Sequence, residues 1–391
     1  MDLLKKISKH QLLNTMKLIK FFFLLVWILP ITSIAQTKAT VTIQNNSALD
    51  RKETIVEIKW SAILSSYPQV DTTSLVVINE KTKKQVSYQL EHKGNKEIQN
   101  LLVQLDIKAK SSVTLSIQKG KSVAITSKTY ARYVPERLDD FAWENDKIAF
   151  RTYGRALEKK EGDAYGFDVW VKSTNKLILN DRYKRNDYHV DHGDGLDYYH
   201  VGFTLGAGNM APYIKDTIRY SGNYHHWKVL DNGPLRSTFE LRYDSWNAGG
   251  VKITAVKTIS LDAGSQLNKI ENRYTFDDTK PISVVVGIIR RDKAGVISLN
   301  EQQGIIAYWE PTFDKDGTTA VGAILTTPVN KMWVDKEQIL AQTELKSNEP
   351  VVYYTGAAWD KAGKFTNSKQ WIAYLDHFNQ ELQNPLIVTL K

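Results

Sequence analysis

The sequence predicts a mainly β protein, an antiparallel β-sandwich with one short helix near the C-terminal end. Three observations predict it: short β-branched or alternating runs recur through the chain, polar turns separate them, and one segment alone keeps a sustained helical spacing of apolar residues. Alternation places every second side chain on one face of a strand, so many short alternating runs describe half-buried antiparallel sheets.

The first runs are Val41–Ile43, Thr54–Trp60, Leu75–Ile78, Val86–Leu90, Leu101–Leu105 and Val113–Ile117. Their spacing predicts an N-terminal β region over 36–128. The segment Lys128–Asp140, with Pro135 and mixed charge, is the best boundary, so 129–391 is expected to be a larger sandwich that carries the site. Its strands continue through Leu235–Tyr243, Val251–Val256, Ile282–Val286 and Val351–Tyr354. Near the end, Trp371, Leu375, Phe378 and Leu382 repeat at helical spacing after a cap at Asn367 or Ser368. Pro385 stops this helix and Leu386–Leu390 returns as a strand. A lone amphipathic helix in a β-chain is expected to cover a sheet edge or close one end of the sandwich, with His377 in a structural role.

Residues 1–35 are expected to be a signal peptide. Lys17 and Lys20 precede the apolar run Phe21–Ile31, and Ser33-Ile34-Ala35 offers small residues for cleavage. The run is too short, and too interrupted by Pro30, to span a bilayer comfortably. The segment holds five lysines and one aspartate, so its removal lowers the formal net charge from +9 to +5. No basic runs remain to hold nucleic acid, and no membrane association is expected after cleavage. The chain has no cysteine, which excludes disulfides, thiol nucleophiles and thiolate metal sites. Export without cysteine points to a bacterial periplasm, with secretion into the medium as the alternative. The pattern leaves the oligomeric state open.

Five of the eight histidines fall in two adjacent segments, Tyr188–His200 and Tyr224–Trp227. His189, His192, His200, His225 and His226 share this stretch with Asp187, Asp191, Asp194 and Asp197. Histidine suits acid, base and metal-ligand roles near neutral pH. No metal or cofactor is expected, because Gly193 and Gly195 make a helix improbable here, and on a strand His189 and His192 would face opposite sides. Asp191, Asp194 and Asp197 could wrap calcium in a loop, but their spacing departs from the EF-hand pattern, and aspartates that cap loops are the plainer reading. No pair of carboxylates stands out for glycoside hydrolysis, and no Gly-x-Ser-x-Gly elbow occurs.

Elimination on a uronic acid fits the composition of the stretch better. A cation must neutralise the uronate carboxylate, a base must take the proton beside it, and an acid must protonate the departing oxygen. The candidate acids and bases are His189, His192, His225, His226, Tyr198 and Tyr224. Arg182, Arg219, Lys215, Asp197, Trp143 and Trp227 are candidate substrate-binding residues, the tryptophans as stacking platforms, although a core role is the plainer reading for each tryptophan taken alone. Gly202–Gly208 lacks the lysine and helix of a phosphate loop and reads as a tight turn.

The runs Asp191–Asp197, Tyr199–Gly208, Ala211–Tyr213, Tyr220–Tyr224 and Leu230–Arg236 together resemble a family of exported Bacteroidota proteins of unknown function from polysaccharide-utilisation systems. The functional type this resemblance points to is an ulvan oligosaccharide dehydratase. It implies a sandwich like that of galactose mutarotase and a uronate-containing oligosaccharide as partner. The implied reaction removes water from a non-reducing-end glucuronic acid to leave a 4,5-unsaturated uronate. A glycoside hydrolase acting on such sugars, or a non-catalytic carbohydrate-binding protein, are the alternatives.

Overall fold

In the computed structural model, residues 37–160 and 162–391 are described, and the expected signal segment lies outside them. Lys38–Lys391 forms one compact unit. In chain order its first strands are β1 (Lys38–Asn45), β2 (Arg51–Lys59), β3 (Leu75–Asn79), β4 (Tyr88–Glu91), β5 (Asn100–Ile107) and β6 (Ser111–Lys119), with the short helix α1 (Trp60–Ser66) after β2. Then follow β7 (Thr129–Val134), β8 (Asp140–Asn145), β9 (Ala149–Thr152), β10 (Asp168–Trp170), α2 (Leu179–Arg185) and β11 (Ala207–Pro212). The long strands are β12 (His226–Asn232), β13 (Arg236–Ala248), β14 (Val251–Asp262) and β15 (Leu267–Thr275). The remainder are β16 (Ile282–Ile289), β17 (Val296–Asn300), β18 (Ile305–Trp309), β19 (Thr319–Leu325), β20 (Lys331–Val334), β21 (Gln338–Leu345), β22 (Pro350–Trp359), α3 (Ser368–Gln383) and β23 (Ile387–Leu390).

Every strand pair is antiparallel. The first layers are a sheet of order β23-β1-β6-β3 and one of order β2-β5-β4. Between them lies a core that includes Val41, Ile58, Leu101, Val103, Leu115 and Ile117. The rest is a sandwich. An eight-stranded sheet of order β12-β13-β14-β15-β22-β19-β18-β17 faces two four-stranded sheets, β10-β9-β8-β7 and β11-β16-β21-β20. One core cluster draws on all three sheets, with Phe239 and Ile270 from the first, Phe141 and Trp143 from the second, and Val284 and Val286 from the third.

The segment proposed as a boundary is mostly built structure, because Thr129–Val134 forms β7 and pairs with β8. Helix α3 starts where the sequence placed it, with the Asn367 side chain accepting from Gln370 N. It covers a sheet face rather than an edge. Trp371 and Leu375 pack on Ile305, Ala307 and Ile324, the residues that alternation turns away from the sandwich core, while Ile306 and Ala323 point into that core. The Trp371 indole N–H donates to Val321 O at 3.0 Å.

Among the described residues, the sandwich interior holds one cation without an ion-pair partner. Lys257 on β14 is 1% exposed; its ammonium donates to Asn209 Oδ1 and lies 4.6 Å from the centroid of the Tyr243 ring. Burial pulls its pKa down to about 7. The unfolded chain, with an ordinary lysine, therefore binds more protons than the folded one between about pH 7 and 10.5, and stability rises with pH across that window. Lys257→Met is expected to flatten that rise, read from thermal midpoints taken at pH 7 to 10. A slope equal to that of the unaltered protein would show that the ammonium does not feel its burial.

Candidate active site

The most heavily charged buried cluster forms on the sheet β10-β9-β8-β7. Strand β9 turns Arg151 to the face away from the sandwich core, where α2 and its loop bury it, and its neighbours in the sheet supply Asp168, directly opposite Arg151 on β10, and Asp140 at the start of β8. The loop after α2 brings in Asp197. Arg151 Nε and Nη2 donate to Asp168 Oδ2 at 2.9 and 2.5 Å, and Nη2 donates to Asp197 Oδ2 at 3.0 Å. Nη1 donates to Asp140 Oδ2 at 3.4 Å, an oxygen that also accepts from the Tyr183 hydroxyl at 3.3 Å. The guanidinium lies over the rings of Trp170, Tyr153 and Tyr188, 5.1, 5.3 and 5.6 Å from their centroids.

One guanidinium cannot balance three carboxylates in a dry site. Burial lifts Asp140 to about 6, against the pull of Arg151. Burial and the neighbouring Asp197 lift Asp168 to about 7, and burial lifts Asp197 to about 6. Burial alone would lower the Arg151 pKa, but Asp168 and Asp197 raise it well above its usual range. Arg151 therefore stays charged, while the carboxyls exchange protons near neutrality.

Above this floor runs a more open strip. Tyr188 stacks on Trp170 with ring centroids 4.7 Å apart, and its hydroxyl accepts from Arg137 Nε at 3.0 Å. Arg137 Nη1 is buried without a partner. The His189 ring lies 4.7 Å from that of Tyr188, and its side chain is 66% exposed. Its Nδ1 is 2.8 Å from the Asp197 carbonyl oxygen, which can only accept, so Nδ1 carries the hydrogen there and neutral His189 keeps its lone pair on Nε2. On the other side of Arg137, Tyr133 donates to Asp139 Oδ1, which pushes the tyrosine pKa up to about 12. Trp227, 43% exposed, stacks on Tyr133 with centroids 5.0 Å apart.

Leu138 and Asp139, which join the two halves of the strip, both have left-handed backbones, with φ of 49° and 63°. Non-glycine residues pay for that conformation, and the surrounding contacts hold it. Tyr224 donates to Asp139 O at 2.5 Å. Gly154 packs so closely that a Cβ there would lie 2.0 Å from the same oxygen. Gly154→Ala is therefore expected to cost about 1–3 kcal/mol and to lower the thermal midpoint, because the added methyl must displace the backbone it meets. An unchanged midpoint would show that this junction yields freely.

The other expected site residues scatter. His192 Nε2 pairs with Asp187 at 2.7 Å in the exposed loop. His225 Nδ1 lies 2.5 Å from Asp244 Oδ2 and Nε2 lies 3.6 Å from Glu158, a separate surface cluster that His226 joins at 3.7 Å from Asp244. The clusters adjoin because Tyr224 and Trp227 flank the pair and both touch the strip. The Tyr198 hydroxyl is buried and accepts from Thr319 Oγ1 at 2.8 Å. Arg182 is fully buried and braces the loop, donating to Val171 O and Asp194 O. Arg219 donates to Ile214 O, and Lys215 is exposed in the turn beside it. Trp143 is sealed in the core, with its indole N–H on Asn268 Oδ1, so no sugar can stack on it. Asp191 caps its loop by accepting from Gly193 N and Gly195 N, while Asp194 faces Arg185 and Asp197 faces Arg151. Those three carboxylates thus diverge, and among the described residues no group of three or more His, Asp or Glu is placed to hold a metal ion.

The sequence reading passed over Arg137, Asp139, Asp140, Arg151 and Asp168. A signal was present for two of them: Arg151 interrupts Ala149-Phe-Arg-Thr152, and Asp168 interrupts Gly166-Phe-Asp-Val-Trp170, each a lone charge within an apolar strand. Such a charge must find a partner inside.

A family model described as "Domain of unknown function (DUF4861)" matches residues 43–388. A protein of Formosa agariphila, named "Uncharacterized protein P7", is 35% identical over 295 residues, which cover 71% of this chain and 73% of that protein. Among solved structures, a protein in glycosyl hydrolase family 38 from Enterococcus faecalis superposes with a TM-score of 0.53 at 10% identity, over 92% of this chain and 48% of that one. An α-mannosidase from E. faecalis V583 gives a TM-score of 0.44 at 8% identity, over 91% of this chain and 46% of that one. The chain thus spans about half the length of these structures, and the first of them shows a shared fold.

Proposed function

Since the chain belongs to the DUF4861 family, whose description carries no activity, we propose from the geometry that it acts on carbohydrate as a dehydratase. Its substrate would be a uronate-ended oligosaccharide of the ulvan type, and water would leave the non-reducing-end glucuronic acid. One observation carries the reading. Arg137, with a free buried N–H, a tyrosine hydroxyl with a free proton, and an exposed imidazole with a free lone pair stand side by side.

Arg137 Nη1 receives the uronate carboxylate and stabilises the charge that grows on it. His189 Nε2 takes the proton from C5. The electron pair of that C–H bond becomes the C4=C5 double bond, the C4–O bond breaks, and Tyr188 gives its proton to the departing hydroxyl, which leaves as water. Tyr188 can give that proton because its oxygen is the acceptor from Arg137. The exposed face of Trp227 stacks on the sugar. The proposed location is the periplasm, reached through the N-terminal apolar segment.

The test is incubation of the purified protein with saturated, uronate-ended ulvan oligosaccharides, with ultraviolet absorbance and product mass followed together. Loss of water with new absorbance of an unsaturated uronate is the expected result. Shortened chains without absorbance would replace dehydration by hydrolysis, and unchanged but bound ligand would leave a binding protein.

A further inference from the structure

A cleft of about 560 Å³ opens away from the strip, between β2, the ends of β14 and β15, β22 and helix α3. A volume of that size accommodates a small ligand. Its charges are nearly all committed. Asp50 pairs with Lys108, Lys52 with Asp106, Glu53 with Lys147 and Lys269 with Glu271. Arg236 bridges Glu57 and Asp262. Glu381 sits between Arg51 at 3.4 Å and His377 at 3.1 Å.

Two donors are left over. Among the described residues Lys364 has no carboxylate within ion-pair distance. Its ammonium lies 5.3 and 5.4 Å from the ring centroids of Phe365 and Tyr374, and partial loss of water there lowers its pKa, with Lys147 adding repulsion, although the residue as a whole is exposed. Arg51 is 4% exposed and spends its Nη atoms on the end of α3, donating to Glu381 O and Asn384 O, while its Nε is buried without a partner. Tyr354 and Phe378, which meet edge to face with centroids 5.2 Å apart, add aromatic surface to the same lining.

An uncommitted ammonium, an unpartnered guanidinium N–H and aromatic rings in one cleft are what an acidic sugar requires: a charge partner for its anionic group and a flat surface for its ring. We propose that this cleft is a second carbohydrate site, which holds an anionic saccharide unit through Lys364 and Arg51. The choice of a saccharide rests on the dehydratase reading; the choice of an anion rests on the cleft alone. The anionic group is a carboxylate or a sulfate ester, which these donors recognise alike.

Titration calorimetry on the full-length protein tests it with three probes: a sulfated uronate-containing ulvan tetrasaccharide, the same tetrasaccharide after desulfation, and neutral cellotetraose. The variants are Lys364→Glu, an exposed change that should leave folding intact, and Lys364→Ala. Expected is a loss of affinity of about tenfold or more for the sulfated probe in Lys364→Glu and a smaller loss in Lys364→Ala. Turnover number on a uronate-ended disaccharide should be unchanged in both. If the desulfated probe responds equally, the carboxylate is the recognised group; if only the sulfated probe responds, the sulfate is. Equal affinities in wild type and both variants, or an equal loss for cellotetraose, would overturn the proposal. Because the binding measurement needs no turnover, a protein that binds through Lys364 but dehydrates nothing would refute the dehydratase reading and leave the cleft standing.

Discussion

Replacing His189 with alanine is expected to lower the turnover number for dehydration by a factor of roughly 10²–10⁴, the usual worth of a positioned acid or base. Little change in stability should accompany it, since the side chain is 66% exposed and its hydrogen bond goes to the Asp197 backbone carbonyl, with the Asp197 carboxylate farther off at 3.7 Å. Tyr188→Phe should fall in the same range, because it keeps the ring stacked on Trp170 and removes only the proton donor. His192→Ala and His226→Ala are the controls, each histidine being in a surface ion pair outside the strip. The contrast among neighbouring histidines is the informative part. Rates near wild type for His189→Ala, together with a collapse for His225→Ala, would move the chemistry to the Asp244–His225–Glu158 cluster.

The largest stability effect is expected at Arg151. Arg151→Met removes the one cation that three buried carboxyls share, and leaving a buried charge without its partner costs about 3–5 kcal/mol. The loss should depend on pH in a defined sense. In the folded protein Asp140, Asp168 and Asp197 titrate at about 6, 7 and 6, above the ordinary aspartate value of 3.8. The folded state therefore binds more protons than the unfolded one between about pH 4 and 7, and these groups withdraw stability as pH rises through that window. Without the guanidinium the carboxyls hold their protons to higher pH, so the deficit of Arg151→Met should be small near pH 5 and large near pH 8. Thermal midpoints over that range measure it. A deficit that is constant with pH would mean that the carboxyls are not charged around Arg151.

The fold was legible because it depends on alternation, which a single sequence records. Ile305 and Ile306 go to opposite faces as their neighbours demand, and Trp371 and Leu375 mark the buried side of the one long helix. The site was legible only in part. The histidines of the two segments were expected to line one site, yet His189 and His225 belong to separate clusters, because the loop after α2 carries the one and the entry into β12 the other. The residues that hold the strip together come from three strands and carry no spacing of their own. Arg151 and Asp168 lie 17 positions apart and become partners only through the β9–β10 register. Arg182 and Trp143, which looked like ligand-binding groups, are the large polar and aromatic side chains that the interior needed.

Among the described residues, the pairing of β23 with β1 places the last strand beside the first, through Val41 and Leu390, Thr42 and Thr389, Ile43 and Val388, and Gln44 and Ile387. During synthesis, then, β1 emerges with an open hydrogen-bonding edge that stays vacant until Ile387–Leu390 has been made. Such an edge invites pairing with a stranger.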